Sequence, residues 1–101
     1  MKKKEIITID DTTMNVWLDG SLDTTKATNL IVELDKFAEE EVEKIVFDAT
    51  TLTFIASTGI RAVLYAGKLF DNNPAIEMIG ANADVRKVFD MTGISSCITF
   101  K

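Results

Sequence analysis

Apolar and polar positions alternate with period two over Met14, Val16 and Leu18, set against Asn15, Trp17 and Asp19. That spacing predicts a strand with one buried face. Ile6, Ile7 and Ile9 precede it, and Asp10-Asp11-Thr12-Thr13 lies between, so the two runs predict a hairpin. Gly20-Ser21-Leu22-Asp23-Thr24 breaks the alternation. Asp23 or Thr24 is placed to cap a helix beginning there. Ala27, Leu30, Ile31, Leu34, Phe37 and Ala38 then recur at helical spacing, while Lys26, Glu33, Lys36 and Glu40 take the other face.

Lys44-Ile45-Val46-Phe47-Asp48 is short and rich in β-formers, which predicts a central strand. Ala49 to Ile55 leads, as strand or loop, into the next helix. Ile60, Val63, Leu64 and Gly67 begin a helical pattern, expected from about Thr58 to Phe70, and Asp71-Asn72-Asn73-Pro74 stops it. Ile76, Met78 and Ile79 predict a strand closed by Gly80. Val85, Val88 and Phe89 share one side of a third helix, with Gly93 behind it. Ile98 and Phe100 belong to a last strand. The order β-β-α-β-α-β-α-β predicts an α/β domain spanning residues 1–101, a single mixed, mostly parallel sheet with helices packed against it. Trp17 lies on the strand face opposite Met14, Val16 and Leu18; packing under a helix and exposure as a contact residue both stay open.

Composition narrows the chemistry. The chain has 101 residues, 47% hydrophobic and 27% charged, enough apolar side chain for one core. No apolar run reaches the roughly 18 residues of a membrane span. No apolar signal core comes after Met1-Lys2-Lys3-Lys4-Glu5, so a cytoplasmic protein is expected. The net charge of −5 repels polyanions, so no nucleic-acid partner is expected and the opening lysines read as a solvated end. Glu39-Glu40-Glu41 reads as a solvated helix end. There is no histidine, which removes the commonest general base and metal ligand. No Gly-rich phosphate loop of known spacing occurs. No enzyme activity, cofactor or metal is expected. Cys97, the single cysteine, reads as a small buried apolar residue in a strand.

Ala56-Ser57-Thr58-Gly59-Ile60-Arg61 opens the second helix. The first N–H groups of a helix lack internal partners and carry its positive dipole end. A hydroxyl there is placed as a cap, and a phosphate there is held by the same groups. Thr58 is the reserve hydroxyl, otherwise packing or capping in the first turn. Gly59 permits a close backbone approach, to the sheet or to a partner. Arg61 is a solvated helix charge or a contact for a partner's acid. Asp23 and Asp48, at the ends of elements, read as a cap, a binding surface or, less simply, part of a metal or phosphotransfer site.

Four segments in this order resemble the STAS domain of bacterial anti-sigma factor antagonists, over nearly the whole chain. Gly20-Ser21-Leu22-Asp23 is similar to the family's Gly-x-Leu-Asp. Asp48 to Ile55 resembles the loop before the switch helix. Ala56-Ser57-Thr58-Gly59-Ile60-Arg61 resembles the Asp/Ser-Ser-x-Gly-Leu-x signature. Val85 to Ile94 resembles the third helix and the Gly-hydrophobic turn after it.

The resemblance implies a STAS fold and a non-enzymatic partner switch. The partner is an anti-sigma factor that is also a serine kinase. Unphosphorylated antagonist binds it and frees the sigma factor, phosphorylated antagonist lets go, and a phosphatase resets the system. It places the phosphoacceptor at Ser57, with Thr58 in reserve, and partner contacts at Asp23, Thr24, Ala56, Ser57, Thr58, Gly59 and Arg61. Two departures stand out. Ala56 replaces the acid or serine that many members carry before the acceptor. The sequence stops at Lys101, where many members continue into another helix, so a monomer or weak homodimer using an open sheet edge or face is expected. The alternative is a STAS module that is never phosphorylated, a scaffold or protein-binding subunit of a larger signalling assembly.

Overall fold

The computed structural model describes residues 6–101, so the expectation for the basic start, Met1 to Glu5, lies outside the described residues. Strands β1 (Ile7–Asp10) and β2 (Thr13–Leu22) form the expected hairpin. Asp10 pairs with Thr13, and Asp11 at the turn has φ +60°, a conformation Asp tolerates better than most residues. Helix α1 (Thr24–Asp35), strand β3 (Lys44–Ile55), helix α2 (Ser57–Lys68), strand β4 (Ala75–Ile79), helix α3 (Ala83–Met91) and strand β5 (Thr99–Phe100) complete the chain. The sheet order is β1-β2-β3-β4-β5, antiparallel only between β1 and β2.

The register aligns Ile7, Val16, Phe47, Met78 and Phe100 in one row across the sheet. Val16, Phe47 and Met78 in this row are wholly buried. All three helices cover this face. Gly67 of α2 sits against Ile76, whose side chain shares the face of Met78. Phe89 of α3 packs edge-on against Phe100, with ring centroids 5.7 Å apart. Helix α1 is tied to α2 by two side-chain hydrogen bonds, Thr24 to Thr58 and Tyr65 to Asp35. The opposite face carries Asn15, Trp17, Val46, Asp48 and Glu77, half-buried or exposed. There Glu77 pairs with Lys101 at 3.3 Å and Lys44 at 3.8 Å. Trp17 therefore does not pack under a helix; its backbone N–H donates to the Ile6 carbonyl at 2.8 Å.

Three expectations are corrected. The residues 49–55 form the second half of β3 rather than the loop that the resemblance implies. Two register shifts, between Trp17 and Asp19 and between Gly20 and Ser21 on the β2 side, each leave an extra residue in β3. Such bulges change the phase of burial, so period-two alternation is lost although the chain stays extended. Threonines hold the bulged segment to β2: the Thr51 hydroxyl reaches the Leu18 carbonyl at 3.5 Å, and that of Thr53 donates to the Gly20 carbonyl at 2.9 Å. Helix α1 stops at Asp35, so Phe37 and Ala38 lie in the turns after it.

Cys97 is exposed, in a short 3-10 turn over Ser95–Cys97. Ile98, the next residue, is buried. Gly93, at φ +76° just beyond α3, is the expected left-handed stop.

Candidate functional site

Strands β2 and β3 end together, Leu22 paired with Ile55, both buried. One residue later each launches a helix. Asp23 is the N-cap of α1, its carboxylate accepting the Lys26 backbone N–H at 2.9 Å. Ala56 is the N-cap of α2, and its own N–H donates to the Leu22 carbonyl at 3.0 Å. The matched strand ends thus set the first turns of α1 and α2 side by side. The hydroxyls of Thr24 and Thr58 close the gap at 3.1 Å.

Gly59 makes this approach possible. A Cβ there would lie 2.8 Å from Ile55 Cγ1 and 2.9 Å from both Leu22 Cγ and the Leu22 carbonyl oxygen. Of its two sequence readings, the backbone approaches the sheet. Ser57 is not the cap that its position suggested. Ala56 holds the extended cap conformation (φ −85°, ψ 165°) but has no side-chain acceptor, and Ser57 is the first helical residue. Its side chain is exposed and, among the described residues, makes no hydrogen bond. Thr58 is half-buried and committed to Thr24. Thr58 is therefore a tie between helices rather than a cap. Arg61 is exposed, one turn beyond Ser57 on the same helix face, and forms no ion pair among the described residues.

The structure brings Asp23, Thr24, Ala56, Ser57, Thr58, Gly59 and Arg61 to one corner, at the C-terminal end of the parallel strands. Asp48 is not placed in that group. Its carboxylate accepts the Thr50 backbone N–H at 3.0 Å and the Thr50 hydroxyl at 2.6 Å, holding the first bulge. Among the described residues no three Asp, Glu or Cys side chains converge as a metal site would require. Sequence reasoning missed two residues here. Phe54 is 54% exposed beside the Ser57 turn. Lys26 lies in the first turn of α1 and donates from Nζ to the Asp19 carbonyl at 3.3 Å. Phe54 was hidden by an apolar run whose burial phase is set by the bulges.

A five-stranded mixed sheet with helices on one face, and an exposed serine where one of those helices starts, defines a small α/β module. The model of the STAS domain family matches residues 3–101, and the chain belongs to that family. No curated protein matches the sequence. Its fold is similar to that of the anti-sigma factor antagonist SpoIIAA in its unphosphorylated form, with TM-score 0.80 at 20% identity over 94% of this chain and 85% of that one. The phosphorylated form of SpoIIAA, described as a Bacillus cell fate determinant, gives TM-score 0.71 at 19% identity over 94% and 88%. An anti-sigma factor antagonist from Mycobacterium paratuberculosis gives 0.79 at 15% identity over 93% and 80%. Among the described residues no helix is long and apolar enough to cross a membrane.

Proposed function

We propose that this chain, one STAS domain over residues 1–101, is an anti-sigma factor antagonist. It binds a cognate anti-sigma factor serine kinase and is switched off by phosphorylation of Ser57, so controlling sigma-factor-dependent transcription. The observation that carries this reading is the contrast between the two hydroxyls of the motif. Ser57 is exposed and unbonded among the described residues, whereas Thr58 is half-buried and held by Thr24. A kinase reaches the first without breaking anything.

The chemistry of the switch comes from charge. A phosphoserine adds about 1.5 to 2 negative charges at neutral pH. The first turn of α2 offers its free backbone N–H groups and dipole to that charge. Helical side chains lean toward the N-terminus, so Arg61, four residues on, reaches back toward Ser57. The phosphate therefore has its own stabilising partners and leaves the fold intact. The contact face is altered instead: a new dianion stands on it, and Arg61 is drawn away from any acid of the bound partner.

The test is phosphorylation by the anti-sigma factor serine kinases of the same genome, each purified and given ATP, then intact mass and peptide mapping. One phosphoryl group on Ser57, absent in Ser57→Ala although Thr58 remains, is expected. Ser57→Ala retains partner binding and Ser57→Asp loses it. A chain that binds without accepting phosphate, or two variants that bind alike, would replace the switch with the scaffold reading that Ala56 keeps open.

A further inference from the structure

The strongest feature left unused by this reading is Phe54. Position by position, β3 buries Ile45, Phe47 and Ala49, then Leu52, then Ile55. Two bulges produce that spacing. After the first, strict alternation from Leu52 would turn Phe54 inward, onto the helix-covered face. The second, between Leu52 and Phe54 opposite Gly20 and Ser21, reverses the phase again. Ile55 is buried against Gly59, and Phe54 is left outside, 54% exposed, paired in register with Ser21. A bulge disrupts the ladder where it occurs and can re-aim a side chain, and bulges are over-represented at sheet edges and next to active sites.

We infer that Phe54 is the aromatic anchor of the surface that receives the protein partner, seated in an apolar pocket of that partner. The inference rests on the reading that Ser57 is presented to a protein kinase, and it names a contact on that same surface. Three residues of chain separate Phe54 from Ser57, at most about 10 Å. A standard interface buries about 800 Å² on each side, a patch roughly 30 Å across. A partner that brings its active site to the Ser57 hydroxyl and extends over the paired ends of β2 and β3 reaches Phe54 as well. Large aromatic side chains at the centre of such patches carry a disproportionate share of binding energy, and charged rim groups carry less. Asp23 and Arg61 are exposed charges at the helix starts that follow β2 and β3, and Phe54 is an exposed large apolar side chain at the end of β3. Binding through Phe54 does not depend on the phosphate, so the anchor sets affinity and Ser57 gates it.

The experiment compares Phe54→Ala and Phe54→Tyr in the Ser57→Ala background, where phosphorylation cannot interfere. Binding to the purified anti-sigma factor serine kinases of the same genome is measured by titration calorimetry. Phe54→Ala weakens binding tenfold or more, Phe54→Tyr stays within threefold, and both melt at the temperature of the parent because the ring is exposed. Binding of Phe54→Ala within twofold of the parent overturns the anchor while leaving the Ser57 switch standing. Loss of self-association by Phe54→Ala in sedimentation, with kinase binding unchanged, also overturns it and assigns the ring to a second copy of this chain. If no kinase binds the parent, the functional reading and the anchor fall together.

Discussion

The hydroxyls of Thr24 and Thr58 lie 3.1 Å apart and join the first turns of α1 and α2. Thirty-four residues separate them in sequence. At the other end of the same helix pair, the Tyr65 hydroxyl donates to Asp35. The two helices that flank the candidate site are thus pinned at both ends.

The Thr24–Thr58 tie is measurable as a coupling. Thr24→Val and Thr58→Val each lower stability slightly, and the double variant loses less than their sum. Because the pair is largely solvent-exposed, a coupling of about 0.5 kcal/mol is expected from a double-mutant cycle in urea. A coupling indistinguishable from zero would show that packing alone sets the helix spacing.

Gly59→Ala tests the close approach of α2 to β2. The added methyl meets the Leu22 carbonyl, which is backbone and cannot swing aside. The cost is about 1–3 kcal/mol of stability, despite the better helix propensity of alanine. For a domain of this size that corresponds to a melting temperature lower by about 4–8 °C per kcal/mol. An unchanged or raised melting point contradicts the geometry.

Ala56→Asp should act in the opposite direction. The backbone at 56 already has the cap conformation, and only a side-chain acceptor is lacking. A carboxylate there accepts an orphan N–H and complements the dipole, for a gain of about 0.5–1.5 kcal/mol. Thermal melting checks the sign. The control is Asp23→Ala, which removes the cap that α1 does possess and costs a similar amount.

Tyr65 gives the chain an alkaline signature. Its hydrogen bond to Asp35, then loss of solvent and the Asp35 charge, raise the phenol above its ordinary value near 10. Folding thus favours the protonated phenol. Its contribution is complete below about pH 10 and disappears as pH rises through the higher folded-state value. Denaturation between pH 8 and 12 should show the difference between the parent and Tyr65→Phe constant up to about pH 10 and shrinking above it. A difference constant with pH would assign the pair no role in linkage.

Sequence alone determined the hairpin, the three helices, the strand order along the chain and most of the buried row, because Met14, Val16 and Leu18 alternate and Leu30, Leu34, Val85 and Phe89 repeat at helical spacing. It also narrowed the cap of α1 to Asp23 or Thr24, since a helix start is specified by a few neighbouring residues, and the structure gives it to Asp23. Contacts between segments distant in the chain had to come from the tertiary structure. The pairing of β2 with β3 fixes the two bulges, and these keep residues 49–55 extended where no alternation is visible. Cys97, read as buried in a strand, lies exposed in the short turn that precedes β5. The sequence brought Ser57 and Thr58 forward as neighbouring hydroxyls at one helix start. The family resemblance ranked Ser57 first with Thr58 in reserve, and the packing of α1 beside α2 supplies a physical difference between them, by spending Thr58 on Thr24 and leaving Ser57 in solvent, because a hydroxyl is committed by whatever lies within 3.1 Å of it.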